Sequence, residues 1–77
     1  GHITPQMIHS LNGLTRLHIL DLRGCDGVTD EILDILAGHP SLKSLSVFEC
    51  SGPTRQGIIR FRHKSKCTIY FDKHELK

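Results

Sequence analysis

Leu17-x-x-Leu20-x-Leu22-x-x-Cys25, followed two residues on by Val28-Thr29-Asp30-Glu31-Ile32-Leu33, is the stretch whose reading decides the fold, because both halves of it return. The first half reappears 25 positions later as Leu42-x-x-Leu45-x-Val47-x-x-Cys50. The second half is preceded by Ile3-Thr4-Pro5-Gln6-Met7-Ile8 and followed by the weaker Pro53-Thr54-Arg55-Gln56-Gly57-Ile58. A fixed period in the range of about 20 to 50 residues marks a solenoid, in which each unit buries its apolar face only against its neighbours. Such arrays work mostly as surfaces that hold other molecules.

Within each unit the apolar period changes. Leu20 and Leu22 alternate with Asp21 and Arg23, and Leu45 and Val47 with Ser46 and Phe48, the period of two that belongs to a short half-buried strand. Further on, Ile32, Leu33, Ile35 and Leu36 fall on one face of a helix. Thr29 is placed to cap that helix, Asp30 and Glu31 suit its positive end, and Gly38-His39-Pro40 stops it. Thr4, Pro5 and Asn12-Gly13 give the first unit the same cap, first turn and stop. Ile69 and Phe71 align with Leu45 and Val47 as a third strand. The expected order is helix, strand, three times over. The strands, near 20–22, 45–47 and 69–71, should be parallel because a helical crossover reaches each of them.

The run L-x-x-L-x-L-x-x-C followed by V-T-D and a short helix resembles the cysteine-containing subtype of leucine-rich repeat. Leu17, Leu20, Leu22, Cys25, Val28, Thr29, Asp30, Leu42, Leu45, Val47 and Cys50 carry the match. The second unit departs from it at Pro53, Arg55 and Gly57, and the third has no matching Cys. The resemblance implies an α/β leucine-rich-repeat solenoid of about three repeats, with a parallel three-stranded sheet and helices on the convex side. It also implies a protein-gripping role without chemistry, as in the substrate-recognition arms of F-box proteins, ubiquitin ligase substrate receptors. Small mitochondrial assembly factors carry the same repeat. The alternative is therefore a structural subunit or assembly factor lodged in a larger mitochondrial or ribonucleoprotein complex.

At 77 residues there is room for one small domain, which buries only about 60% of the surface it exposes unfolded. Residues 1–72 are read as the repeat module and 73–77 as a polar tail. No strand precedes Ile3, so the module is expected to need neighbouring repeats or a partner subunit over its open sheet edge. A net charge of +2 is too mild to imply nucleic acid, which stays a secondary possibility as partner. No apolar run approaches the length of a membrane span. Three widely spaced cysteines do not form a secreted disulfide framework, which points to a reducing, intracellular setting: cytoplasmic or nuclear, with mitochondrial as the alternative.

Cys25 and Cys50 should lie roughly 5 Å apart on adjacent strands. A disulfide is then geometrically open, but two inward thiols packed as small apolar groups are preferred. The six histidines include no H-x-x-x-H pair, and His39 and His63 are read as solvated loop residues, so no metal is expected. No phosphate loop, nucleophile elbow or catalytic triad is present, so neither enzyme activity nor a cofactor is expected. Outward strand positions should form the rows Ile19-Ser44-Thr68, Asp21-Ser46-Tyr70 and Arg23-Phe48-Asp72. From these, Asp21, Arg23, Ser46, Phe48, Tyr70 and Asp72 are the expected partner-binding set, with Phe48 and Tyr70 as aromatic anchors. Leu20, Leu22, Leu45, Val47, Ile69 and Phe71 are assigned to the core. Arg60, Arg62, Lys64 and Lys66, in the basic run 55–66, are a possible second contact for an acidic partner.

Overall fold

The computed structural model describes residues 2–73; Gly1 and the tail from His74 onward lie outside the described residues. Three threonines 25 residues apart start the three helices. Thr4 accepts a hydrogen bond from Met7 N (3.3 Å), Thr29 from Ile32 N (3.4 Å) and Thr54 from Gly57 N (3.1 Å), each satisfying one of the free donors of a first turn. The helices are α1 (Pro5–Leu11), α2 (Asp30–Ala37) and α3 (Arg55–Lys64). Arg62, His63 and Lys64 close α3, where positive charge suits the carbonyl end.

Each helix leads into a three-residue strand: β1 (Ile19–Asp21), β2 (Ser44–Ser46) and β3 (Thr68–Tyr70). They form one parallel sheet in the order β1-β2-β3, with Leu20 opposite Leu45 and Leu45 opposite Ile69. The parallel order and alignment match the expectation, but every strand begins and ends one residue earlier than expected. The ladder runs on through single bonds, Leu22 N to Ser46 O (2.8 Å) and Val47 N to Tyr70 O (2.9 Å). It ends where the chain turns left-handed, at Gly24 (φ 69°) and its repeat counterpart Glu49 (φ 61°). A left-handed non-glycine residue costs roughly 1–2 kcal/mol. Glu49 is held in place by its N–H, which donates to Asp72 Oδ2 at 2.8 Å.

Helices and strands make two layers. α1 packs on α2 and α2 on α3, β1 pairs with β2 and β2 with β3; among the described residues α1 does not touch α3, nor β1 β3. Close stacking of units depends on two glycines at equivalent positions. A Cβ on Gly27 would stand 2.2 Å from Ile3 O, and one on Gly52 would stand 1.9 Å from Val28 O. Each lies against the backbone just before the preceding helix, and no other residue fits that approach.

Ile8, Leu22, Val28, Ile32, Leu33, Leu36, Leu45, Val47, Ile58 and Phe61 fill the core between the layers. Phe61 is the largest fully buried side chain, and Phe61→Ala would cost about 3–5 kcal/mol. Two expected core residues are only half-buried. Leu20 sits on β1, an edge strand of the sheet, and Phe71 lies past β3 under Arg62. His39 departs further from expectation. It is buried, with Nε2 donating to Leu11 O (2.8 Å) and Nδ1 accepting from Ser41 N (3.1 Å) and Leu42 N (3.2 Å). It is a structural bolt between the first two units, not a solvated loop residue.

Candidate functional site

The sheet face turned away from the helices carries the two rows read from the sequence, in the expected register: Ile19-Ser44-Thr68 and Asp21-Ser46-Tyr70. The helices cover only the other side of each strand, so these positions point to solvent. Ile19 is 72% exposed at one end and Tyr70 48% exposed at the other. Ser44 and Ser46 between them are partly covered. The face is thus a shallow polar strip with one large apolar side chain on each flank.

The third row, Arg23-Phe48-Asp72, is brought together beyond the strand ends, but not as an open contact surface. The Arg23 guanidinium lies over the Phe48 ring, 5.5 Å from its centroid, and Arg23 Nε is 3.4 Å from Glu49 Oε2. The Arg23 N–H donates to Asp21 Oδ1 at 3.0 Å, and Asp72 is taken up by Glu49 N. Phe48 is half-buried beneath its cation. Of the two expected aromatic anchors, Tyr70 therefore stands free and Phe48 is already partnered within the chain. Ile19 belongs to the exposed set with more right than Phe48; its place in the first outward row was the signal for it.

The basic run divides in the same way. Arg60 donates from Nε and Nη2 to the two oxygens of Asp34 on α2 (3.2 and 3.0 Å), and Lys64 Nζ lies 3.8 Å from the same carboxylate. The hydrogen bonds from Arg60 hold the Asp34 carboxyl below the ordinary carboxylate range and lift Arg60 in return. Arg62 lies over Phe71 at 5.0 Å, and Lys66 is exposed on the loop into β3. Arg60 and Lys64 thus join α3 to α2, which the sequence reading missed.

Asp30 also does more than suit its own helix. Its carboxylate reaches the next unit, accepting from Thr54 N (2.8 Å) and Thr54 Oγ1 (2.5 Å). Gly57 leaves room for it, since a Cβ there would meet Asp30 Oδ1 at 1.9 Å.

The three thiols are free. Cys50 Sγ donates to Leu22 O at 3.0 Å, a bond from the second unit to the first, and burial pushes the Cys50 and Cys67 thiols up. Cys25 is half-buried beside the core. Among the described residues no three His, Cys, Asp or Glu side chains converge as a metal ion would require, and no helix is long and apolar enough to cross a membrane.

No protein-family model matches the chain, and no solved structure matches it.

Proposed function

We propose that this chain is a non-catalytic protein-binding module of the cysteine-containing leucine-rich-repeat type, holding a partner protein against its open sheet face. The role of substrate receptor in an F-box-type protein travels with that resemblance. The observation that carries the reading is the sheet face itself: an unobstructed strip with Ile19 and Tyr70 standing out at its two ends. Exposed large apolar side chains on a rigid sheet offer contact area at little cost in conformational entropy. The helix caps recurring every 25 residues support the repeat assignment, as do the glycine contacts at Gly27 and Gly52 and the Cys50 thiol bond to Leu22 O, which join one unit to the next.

The alternative, a subunit anchored by Arg60, Arg62, Lys64 and Lys66, gains less support, since Asp34 takes up two of those cations and Phe71 a third.

A photo-crosslinking residue placed at Ser46 tests the reading, with one at the exposed helix position Gln56 as control. The Ser46 probe should capture a discrete partner, and Ile19→Ser with Tyr70→Ala should abolish capture while leaving the melting temperature within a few degrees. Equal capture from Gln56, or capture that survives the double substitution, would rule the sheet face out.

A further inference from the structure

We propose that the end of the molecule formed by α3 and residues 71–73 is a docking groove for a carboxylate-bearing helical segment of a partner protein. This surface is separate from the sheet face and does not depend on the reading given to it. A groove of about 410 Å³ opens there, lined by Arg55, Ile58, Ile59, Arg62, Phe71 and Lys73. Its floor is apolar and its rim carries three cations, with no carboxylate in the lining among the described residues. Among the described residues Arg55, Arg62 and Lys73 form no ion pair, whereas Arg60 and Lys64 on the same helix are both drawn onto Asp34.

The molecule's own inner junction shows what such a face accepts. α3 sits on α2 by placing Arg60 and Lys64 on Asp34 and its Thr54 cap on Asp30. At the equivalent positions of α3, 25 residues on, stand Ile59 and Arg55. The face that α2 offers its neighbour is acidic; the face that α3 offers outward is basic and apolar. A helix seated on α3 as α3 is seated on α2 must bring an apolar side chain to Ile59, where α3 brings cations to Asp34, and a carboxylate to Arg55, where α3 brings its Thr54 cap to Asp30, with Arg62 and Lys73 on the rim to receive a second.

A second copy of this chain does not meet that requirement. α1, the helix at its opposite end, holds no acidic residue, and the loop after it adds Arg16 and His18. Copies stacked head to tail would set like charges together, so the occupant is not a second copy. A nucleic acid fits less well, because Phe71, the one aromatic ring in the groove, already lies under Arg62 and offers no free stacking surface.

The test uses a fluorescent helical peptide of about 15 residues with Glu at i and i+4 and Leu at i+3 and i+7, its twin with Gln for Glu, and an oligonucleotide of equal charge. The Glu peptide should bind in fluorescence anisotropy, weaken as salt rises, and shift backbone amide resonances of 55–62 and 71–73. Arg55→Ser, Arg62→Ser and Lys73→Ser together should weaken binding on the order of tenfold. Arg62→Lys, which keeps the charge and gives up the stack on Phe71, should retain most of it, and Arg60→Ser should change it little. Equal binding of the Gln twin, an unchanged triple variant, tighter binding of the oligonucleotide, or resonance shifts confined to the sheet face would each overturn the proposal. So would a concentration-dependent dimer in sedimentation that the peptide cannot dissolve.

Discussion

The two junctions between neighbouring units follow one repeat pattern and are joined by different chemistry. On the helix side of the first junction the link is an uncharged, largely buried network: His39 binds one carbonyl of the first unit and two N–H groups of its own loop, and Ser41 Oγ donates to Leu17 O at 2.8 Å, while the Arg23–Glu49 pair across the same junction lies exposed beyond the strand ends. Between the second and third units the link is charged and nearer the surface: Asp30 takes the Thr54 cap, and Asp34 takes Arg60 and Lys64. His63, the repeat counterpart of His39, is exposed and has no comparable role. A shared spacing therefore fixes where the units sit, and not what holds them. A buried bond network is costly to break because its orphaned partners stay dry, while an exposed ion pair is screened and replaceable.

That contrast can be broken at its strong side first. His39→Ala leaves a buried amide of Leu42 and the Leu11 carbonyl without partners, an expected loss of about 3 kcal/mol, or roughly 12–24 °C in melting temperature by calorimetry. His63→Ala should change stability by less than about 0.5 kcal/mol. Equal effects of the two substitutions would remove the distinction between the junctions.

Asp30→Ala comes next, at roughly 1–2 kcal/mol in urea unfolding, for the loss of both bonds to Thr54. Gly57→Ala sharpens the point. It should destabilise the natural chain, where the new methyl meets the Asp30 carboxylate, and be much better tolerated once Asp30 is Ala. Additive effects in that cycle would contradict the contact.

The thiols give a smaller, pH-dependent effect. Cys50 and Cys67 are raised above their usual value by burial, so the stability tied to their protonated forms is complete at neutral pH. It is lost as pH rises past the ordinary thiol range of about 8.5 and through the raised folded values. Unfolding midpoints should fall over that window, and less steeply in Cys50→Ala. Smallest is the Asp34 pair. Its lowered carboxyl contributes stability at neutral pH that is lost as pH falls below about 4, and high salt should already erase most of it.

Much of the fold was legible because it rests on period and caps. The threonines at 4, 29 and 54 and the alternation at Leu20–Leu22 and Leu45–Val47 place three helices and three parallel strands within a residue of where they stand. Of the left-handed residues that follow β1 and β2, Gly24 and Glu49, only the first had a glycine to announce it. His39 was misread because a histidine beside a helix-stopping Pro looks like loop. Its place between the buried Leu36 and Leu42 was the available cue. Asp30 was read only as a partner of its own helix. The cue there lay 27 residues away, in the Gly57 that replaces the Ile32 of the previous unit. The outward rows were correct in register, but which members were free depended on side-chain pairing. Phe48 under Arg23 and Arg60 on Asp34 are contacts between units, and no one-dimensional pattern encodes them.

Because, among the described residues, α1 meets α2 but not α3 and β1 meets β2 but not β3, neither layer has a contact between its two ends, and the resistance of the fold to force is that of a zipper. Pulled apart from its two ends, the chain loses an outer unit by parting one short strand and one helix, not by shearing every element together. Each unit that peels away releases about 25 residues, a contour gain of roughly 80–90 Å. A single-molecule stretching trace should therefore climb in low, separate steps.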